Sequence, residues 1–221
     1  MRRTIIPELL DQDLGTPAEI EASLRDLQRI NEWFGGTRTT IRTLRHVTRR
    51  NGRNSLSLLE VGAGNGQVPL AAGDILGKQG VELRVTLLDR VSSHLPCNGT
   101  PAVAADGLAL PFRENAFDVV ACNLLAHHFE PDGLRQLASE ALRVTRIAVL
   151  IIDIIRSRLH LVLTYLGLPL FRSRLTWHDA PASVRRAYTL DEMRRTLGAC
   201  GARKIECSRH YLYRMAILLW K

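Results

Sequence analysis

Apolar positions follow a helical spacing in the first quarter of the chain and a different pattern after it. Within residues 1–54, apolar side chains in two segments recur three or four positions apart, which places them on one face of an α-helix. They are Ile20, Leu24, Leu27 and Ile30 in the first segment and Ile41, Leu44 and Val47 in the second. The segment Thr16-Pro17-Ala18-Glu19 has the composition of a helix start, with a threonine N-cap, an early proline and a glutamate that completes a capping box. Glycines at 35 and 36 end this helix, and a second helix is predicted from about Thr37. We therefore predict a helical N-terminal extension.

From Ser55 onward, short apolar runs alternate with amphipathic segments. Such an alternation of strands and helices predicts a doubly wound α/β domain over residues 55–221, with a mostly parallel seven-stranded sheet and helices on both faces. The last two strands are separated by only a few residues, so they should form an antiparallel C-terminal hairpin. The predicted strands are 56–61, 81–88, 102–105, 117–122, 147–155, 204–209 and 213–220, and the predicted helices are 67–78, 131–144 and one that starts at 189.

The composition is that of a soluble globular protein rather than a disordered one, because 46% of the residues are hydrophobic and 24% are charged. No apolar run approaches the roughly 20 residues that span a bilayer, and the start of the chain lacks the apolar core of a signal peptide. The cysteines are scattered and form no CxxC pair, so structural zinc is not expected. A reducing cytoplasm is the expected location. The cysteines are Cys97, Cys122, Cys200 and Cys207.

The net charge of +8 raises the possibility of an anionic partner. A basic protein can bind nucleic acid or contact an anionic membrane surface, but net charge reports on association rather than on fold. The second predicted helix carries a stripe of arginines, for which a solvated face is favoured over RNA binding. Since no nucleic-acid motif accompanies the stripe, nucleic acid is a disfavoured partner. The stripe consists of Arg38, Arg42, Arg45 and Arg49.

The segment Glu60-Val61-Gly62-Ala63-Gly64-Asn65-Gly66 carries the most informative pattern. A glycine-rich turn at the carboxyl end of a strand is where open α/β sheets bind nucleotide-like cofactors. The spacing G-x-G-x-G is one residue shorter than the dinucleotide fingerprint, and Glu60 would place negative charge close to a diphosphate. A carboxylate there suits a cation, such as the ammonium and sulfonium of S-adenosylmethionine.

Two further carboxylates end the next predicted strands. Asp89 follows the second strand, where a carboxylate can accept hydrogen bonds from ribose hydroxyls. Asp106 follows the third strand and can accept from an adenine amino group, with backbone contacts from Ala105 and Gly107. Because the carboxyl ends of parallel strands share one edge of the sheet, these groups should line one site.

Together these segments resemble a class I S-adenosylmethionine-dependent methyltransferase of the broad small-molecule group, also called type 11 or ubiquinone-biosynthesis-like. The resemblance spans about residues 55–153 and implies a Rossmann-like fold. The matching segments are Glu60 to Gly66, Leu88-Asp89, Ala105 to Phe112, Phe117-Asp118-Val119-Val120 and Leu125-Ala126-His127-His128-Phe129.

The resemblance also implies which residues hold the cofactor S-adenosylmethionine. Glu60 and the glycine loop would hold its methionine end, Asp89 the ribose and Asp106 the adenine. Asn123 and Leu124 would line the pocket opposite the methyl group. The full set of implied cofactor contacts is Glu60, Gly62, Ala63, Gly64, Gly66, Asp89, Arg90, Ala105, Asp106, Gly107, Asn123 and Leu124.

His127 and His128 are the candidate catalytic residues, because they follow the fourth strand, where acceptor and cofactor would meet. Histidine titrates in the range that suits a general base. A structural or cofactor-positioning role is the alternative for both. No metal is expected, since the other histidines show no metal-ligand spacing. They are His94, His160, His178 and His210.

An apolar insert at 156–187 suggests what the enzyme methylates. Together with the N-terminal extension, it would cover a pocket for a lipophilic small molecule, with aromatic walls. The leading hypothesis is O-methylation of a phenolic or polyketide-type hydroxyl. C-methylation of a quinone-like ring and a basic RNA-binding methyltransferase remain alternatives, and the oligomeric state is unknown. The expected wall aromatics are Trp33, Phe34, Tyr165 and Trp177.

Overall fold

A computed structural model describes residues 1–12 and 14–221 of the chain. Within these residues, one seven-stranded sheet carries helices on both faces and a helical pair precedes it, which confirms the predicted fold class. The strands are β1 (Ser55–Val61), β2 (Glu82–Asp89), β3 (Ala102–Ala104), β4 (Phe117–Asn123), β5 (Thr145–Ile154), β6 (Lys204–His210) and β7 (Arg214–Trp220). The helices are α1 (Pro17–Trp33), α2 (Gly36–Asn51), α3 (Gln67–Gly77), α4 (Pro131–Val144), α5 (Arg158–Gly167), α6 (Arg174–Arg186) and α7 (Leu190–Leu197).

The strand order places a crevice above the middle of the sheet. The order is β3-β2-β1-β4-β5-β7-β6, and the first five strands in the chain run parallel. Strand β7 pairs antiparallel with both β5 and β6, as the sequence predicted for the final hairpin. The connections leave in opposite directions from β1 and β4, and ligands of open α/β sheets bind outside the carboxyl ends at such a point.

The core lies in two layers, one on each face of the sheet. In β5, Val149 and Ile151 point into the layer that contains Leu137 of α4, while Ala148 and Leu150 point into the layer beneath α2 and α3. All of these residues are fully buried. This explains why β5 reads as a continuous apolar run rather than an alternating one.

Polar contacts join the N-terminal helices to the insert. The predicted capping box forms, since Thr16 and Glu19 exchange hydrogen bonds at the start of α1. The buried carboxylate of Asp26 in α1 accepts hydrogen bonds from the backbone amides of Arg172 and Ser173, both at 2.9 Å. The extension and the start of α6 therefore form one cover over the carboxyl edge of the sheet.

The insert contains a helix that the sequence did not reveal. No helix is predicted over residues 174–186, but this stretch forms α6, which contains Pro181. Ser173 caps its start, and Leu175 and Val184 are buried beneath a polar outer face. The apolar helix α5 ends at Gly167. Neither α5 nor any other helix in residues 1–12 and 14–221 is long and apolar enough to cross a membrane.

Candidate active site

A cavity of about 880 Å³ opens at the carboxyl edge of the sheet. Its floor is formed by the loop after β1 and by the ends of β2, β4 and β5. Its cover comes from the N-terminal segment, α1, α5 and α6. The volume lies within the range of sites that enclose a cofactor or a drug-sized ligand.

The glycine loop lies against the cavity in a conformation that requires glycine. Gly62 has φ +68°, and a Cβ there would lie 2.7 Å from Cδ1 of Leu125. Gly64 has φ +51°, and the nearest described atom to a Cβ would be Cδ2 of Leu24 at 4.0 Å. The backbone of the loop can therefore approach a ligand closely at Gly64.

Glu60 is buried at the wall of this cavity and is only partly hydrogen-bonded. Its Oε1 accepts from the backbone amide of Asn123 at 3.0 Å and from the side-chain amide of that residue at 2.8 Å. Its Oε2 is buried and has no hydrogen-bond partner among the residues described. Burial raises the pKa of Glu60 to about 7, because water no longer solvates the charged form. A cation beside Oε2 would restore the charged state.

One aspartate ends β2 and another follows β3, and both accept hydrogen bonds from the backbone of neighbouring loops. Asp89 accepts from the amide of Gly64 at 2.8 Å and from the amide of Val91 at 3.0 Å. Asp106 is exposed and accepts from the amide of Leu108 at 2.9 Å. Both carboxylates line the cavity, and each oxygen retains a lone pair for a ligand hydroxyl or amino group.

The structure brings most of the predicted cofactor residues together. Ala63 and Gly66 do not line the cavity, and they instead close the loop through a 2.9 Å hydrogen bond from the amide of Gly66 to the carbonyl of Ala63. The cofactor roles of the set remain a prediction. The members that line the cavity are Glu60, Gly62, Gly64, Asp89, Arg90, Ala105, Asp106, Gly107, Asn123 and Leu124.

His127 is buried between two carboxylates. Its Nδ1 lies 2.7 Å from Oδ1 of Asp153, and its backbone amide donates to Oδ2 of the same residue at 2.9 Å. Its Nε2 lies 3.4 Å from Oε1 of Glu8. Burial disfavours a charged imidazole, but the two carboxylates outweigh it and raise the pKa of His127 well above the ordinary value.

His128 has the same arrangement in a more open position. Its Nδ1 lies 2.5 Å from Oδ2 of Asp11, and its Nε2 lies 3.8 Å from Oε2 of Glu8. The two rings are neighbours, with centroids 4.2 Å apart. Glu8 also accepts a 2.8 Å hydrogen bond from the hydroxyl of Ser183 in α6. Both predicted catalytic histidines therefore line the cavity beside the N-terminal segment.

Sequence reasoning missed Glu8 and Asp11, because no motif surrounds them and they reach the site only through the fold. It also missed Arg214, which is 1% exposed and lines the cavity at the start of β7. One of its terminal nitrogens donates to Oδ1 of Asn31 at 3.2 Å, and Nη1 has no hydrogen-bond partner within the described part of the chain. Burial lowers the pKa of Arg214 to about 10. An arginine in a buried strand was the signal that could have identified it.

The aromatic walls differ from the expectation. Of the four aromatic residues, Phe34 lines the cavity, whereas Trp33, Tyr165 and Trp177 are 52%, 46% and 48% exposed and lie outside its lining. The covering helices instead present aliphatic side chains and a different aromatic ring. These lining residues are Leu24, Leu27, Leu163, Leu166, Leu170, Phe171 and Val184.

Comparisons with known proteins agree with this geometry. Residues 59–152, less than half of the chain, match the family model described as a methyltransferase domain. The fold resembles the plantazolicin methyltransferase BpumL in complex with SAH, with a TM-score of 0.70 and 14% identity over 97% of this chain and 94% of that one. A SAM-dependent methyltransferase from Aquifex aeolicus gives a TM-score of 0.52 and 14% identity over 82% and 97% of the two chains.

A third structure belongs to a longer protein of Anabaena variabilis from an antibiotic biosynthesis pathway, assigned as a methyltransferase. It gives a TM-score of 0.56 and 18% identity over 77% of this chain, which spans 64% of the length of that protein. No curated protein matches the sequence. The family match over residues 59–152, the sheet order and the glycine loop agree with the predicted class, a class I methyltransferase that uses S-adenosylmethionine (SAM), and the solved structures share its fold.

Proposed function

We propose that the enzyme transfers the methyl group of SAM to a hydroxyl oxygen of a lipophilic small molecule, of phenolic or polyketide type. The observation that carries this proposal is the continuity of the cavity. The same space that contacts Glu60 and the glycine loop extends beneath aliphatic side chains of α5 and α6. Such a space suits a charged cofactor at one end and an apolar acceptor at the other.

The residues at the cofactor end fit SAM. Glu60 has a buried oxygen that lacks a hydrogen-bond partner among the described residues, and it would receive the ammonium of the methionine part. Gly64 leaves room for close approach, Asp89 would hold the ribose and Asp106 the adenine. When bound, SAM supplies a methyl group that is already activated by its sulfonium.

The acceptor end has apolar walls, and a buried guanidinium also lines it. Leu163, Phe171 and Val184 contribute to its walls, and the guanidinium of Arg214 lines the same cavity. A buried guanidinium favours a ligand with an oxygen acceptor, because an unmatched donor is costly in an apolar setting. An aromatic or polyketide hydroxyl with a neighbouring carbonyl or carboxylate satisfies both requirements.

Methyl transfer is a displacement in which alignment and desolvation supply most of the acceleration. A hydroxyl acceptor must also lose its proton. His127 is buried, and its ring nitrogens lie 2.7 Å and 3.4 Å from carboxylate oxygens of Asp153 and Glu8, so His127 is a positioning residue. His128 also faces two carboxylates, but its Nε2 lies farther from Glu8, at 3.8 Å, and its ring is half-buried at the cavity wall, so we assign the activation of the acceptor hydroxyl to it.

The structural neighbours support a natural-product type of acceptor. BpumL was crystallised with azolic desmethylPZN analogs, and the Anabaena protein comes from an antibiotic pathway. The arginine stripe gives no support to RNA as the acceptor. Arg38, Arg42 and Arg49 are exposed on α2, and Arg45 donates to Gln79 at 2.8 Å, as on an ordinary solvated face.

The first test is calorimetric titration with SAM and with its product S-adenosylhomocysteine (SAH). Absence of binding at millimolar concentration would overturn the methyltransferase proposal. The second test supplies SAM with an isotopically labelled methyl group to a panel of phenols, hydroxylated aromatic acids and hydroxyquinones. NMR then distinguishes an O-methyl from a C-methyl product, and a label found only on ring carbon would replace O-methylation with the C-methylation alternative.

A further inference from the structure

Three side chains at the cavity wall form a group that we call the histidine–glutamate cluster: Glu8, His127 and His128. One ligand atom from each lies within 4.8 Å of the other two. Nε2 of His127 and Nε2 of His128 lie 3.4 Å and 3.8 Å from different oxygens of Glu8. The carboxylate thus faces two imidazole nitrogens rather than one.

Outer carboxylates fix both imidazoles in the orientation that metal ligands adopt. Nδ1 of His127 is hydrogen-bonded to Asp153, and Nδ1 of His128 is hydrogen-bonded to Asp11. A ligating histidine almost always donates its second ring N–H to a carboxylate or carbonyl, which sets the tautomer and directs the other nitrogen to the metal. Here both Nε2 atoms point toward Glu8.

We propose that Glu8, His127 and His128 bind one divalent transition-metal ion at the wall of the cavity. Ligand atoms at 2.0–2.2 Å from a metal lie roughly 3–3.5 Å from one another, so small movements of these side chains would complete the site. Nε2 of His127 is buried, and its contact with Oε1 of Glu8 is long, at 3.4 Å, which is the second observation in favour of a ligand between them.

The donor set selects the type of ion. Two imidazoles and one carboxylate suit zinc, cobalt, manganese or iron, whereas magnesium and calcium prefer sites made of oxygen alone. Three carboxylates, those of Glu8, Asp11 and Asp153, converge on the two rings, and this negative charge favours a dication. Binding releases the proton that His127 would otherwise hold, because a ligating imidazole is neutral.

The chemical use of the ion rests on the proposed function. With three protein ligands, the ion would have room for a further ligand such as an acceptor hydroxyl. Coordination would lower the pKa of the hydroxyl, whose proton would then leave to water. The oxygen attacks the methyl carbon, the bond from carbon to sulfur breaks, and sulfur keeps the electron pair. His128 would then activate the acceptor as a ligand of the ion.

This inference replaces the expectation that the chain holds no metal. That expectation depended on the spacing of metal ligands along the sequence, and the three residues of the cluster show no recognisable ligand spacing. Its two histidines are adjacent, and Glu8 belongs to a segment that precedes the first helix. The strand-end turn at Ala126–His128 and the contact of Glu8 with Ser183 bring the three residues together.

The test uses the full chain without a histidine tag, freed of metal and titrated with Co²⁺ and with Zn²⁺. Visible absorption of Co²⁺ reports the ligand set, and calorimetry gives affinity and stoichiometry. The variants are Glu8→Gln, which keeps an acceptor for Ser183, and His128→Gln. The matched control is Glu130→Gln. Oε1 of Glu130 forms an ion pair with Nη1 of Arg3 in the N-terminal segment at 2.7 Å, but Glu130 lies outside the cluster.

We expect one ion per chain, a Co²⁺ spectrum with nitrogen and oxygen ligands, and at least tenfold weaker binding in both cluster variants but not in Glu130→Gln. Absence of binding at millimolar metal would overturn the proposal. Equal affinity in either cluster variant and the wild type would also overturn it, because the ion would then lie elsewhere. SAH titration of the same samples separates this result from the proposed function, since cofactor binding does not require the cluster.

Discussion

Asn123 donates two hydrogen bonds to a single oxygen of Glu60, one from its backbone amide and one from its side chain. The pair joins the ends of β1 and β4, where the chain connections diverge. The second oxygen of Glu60 stays buried, and no described residue donates to it. An orphaned buried acceptor is costly, so its retention at the cavity wall points to a cationic ligand that completes it.

The first prediction concerns Glu60→Gln. Glutamine can still accept from Asn123, but it cannot offer a negative charge to the ammonium of the cofactor. Hydrogen bonds to charged groups contribute about 1.5–3 kcal/mol, so we expect SAH affinity to fall at least tenfold. Calorimetric titration measures the change. The control is Glu82→Gln, which removes an exposed carboxylate on β2. Unchanged SAH affinity in Glu60→Gln would show that Glu60 does not contact the cofactor.

The raised pKa of Glu60, about 7, gives a second prediction for the ligand-free protein. In the folded state Glu60 keeps its proton up to about pH 7, whereas in the unfolded chain it loses the proton near 4.5. The group therefore destabilises the fold progressively as pH rises through this window, and the cost stays constant above it. The total amounts to about 3 kcal/mol.

Glutamine at position 60 abolishes this titration. Relative to the wild type, Glu60→Gln should gain about 3 kcal/mol in free energy of unfolding between about pH 4.5 and pH 8. Urea denaturation at a series of pH values measures the difference, in which the other titrating groups cancel. Saturating SAH should shrink it, because the cofactor stabilises the charged carboxylate. A difference that is flat with pH would contradict the raised pKa.

The third prediction separates ligand contact from backbone strain at Gly64. Gly64→Ala forces alanine to φ +51°, and Gly52→Ala forces it to φ +62° at the end of α2, where a Cβ would meet no described atom within 4 Å. Both variants should lose about 1 kcal/mol of stability, since left-handed backbone is unfavourable for residues with a Cβ. We expect SAH affinity to fall only in Gly64→Ala. Equal SAH affinity in the two variants would place the cofactor away from Gly64.

The sequence predicted the sheet because its signals are local. Strand β5 is a continuous apolar run since both of its faces are covered, and the glycine loop is fixed by backbone dihedrals that its own residues determine. Helix α6 was missed for the opposite reason. Its apolar positions are few, it contains Pro181, and its stability depends on packing against α1, which no local pattern encodes.

The site was predictable on one side only. Glu60, Asp89 and Asp106 end consecutive parallel strands or follow them, so the sheet topology alone brings them to one edge. Glu8 and Asp11 approach the histidines through tertiary contacts from a segment without regular structure, and sequence spacing does not indicate such contacts. The grouping of these carboxylates therefore follows from the sequence, whereas the contacts of Glu8 and Asp11 with the histidines need the three-dimensional structure.

The last prediction concerns Asp118, at the amino end of β4 and far from the cavity edge. Its carboxylate accepts from Arg146, Arg53 and both the amide and the hydroxyl of Ser57, each at 2.9 Å. Burial opposes ionisation, but these donors outweigh it and lower the pKa of Asp118 to about 2. A lowered pKa means that the stabilisation is present above the ordinary value of 3.8 and is lost as pH falls toward 2.

Asp118→Asn should therefore cost about 1–3 kcal/mol in free energy of unfolding near neutral pH, because two arginines and the backbone amide of Ser57 lose a charged acceptor. The cost should shrink as pH falls from about 4 toward 2, because Asp118 takes up a proton in the unfolded chain near 3.8, before it does so in the folded protein. SAH affinity should not change, since Asp118 lies at the amino ends of the parallel strands and the glycine loop lies at their carboxyl ends. Denaturant unfolding and calorimetry measure the two quantities. Weaker SAH binding in this variant would show that the cofactor end responds to general loss of stability, and the losses expected for Glu60→Gln and Gly64→Ala would then not identify contact residues.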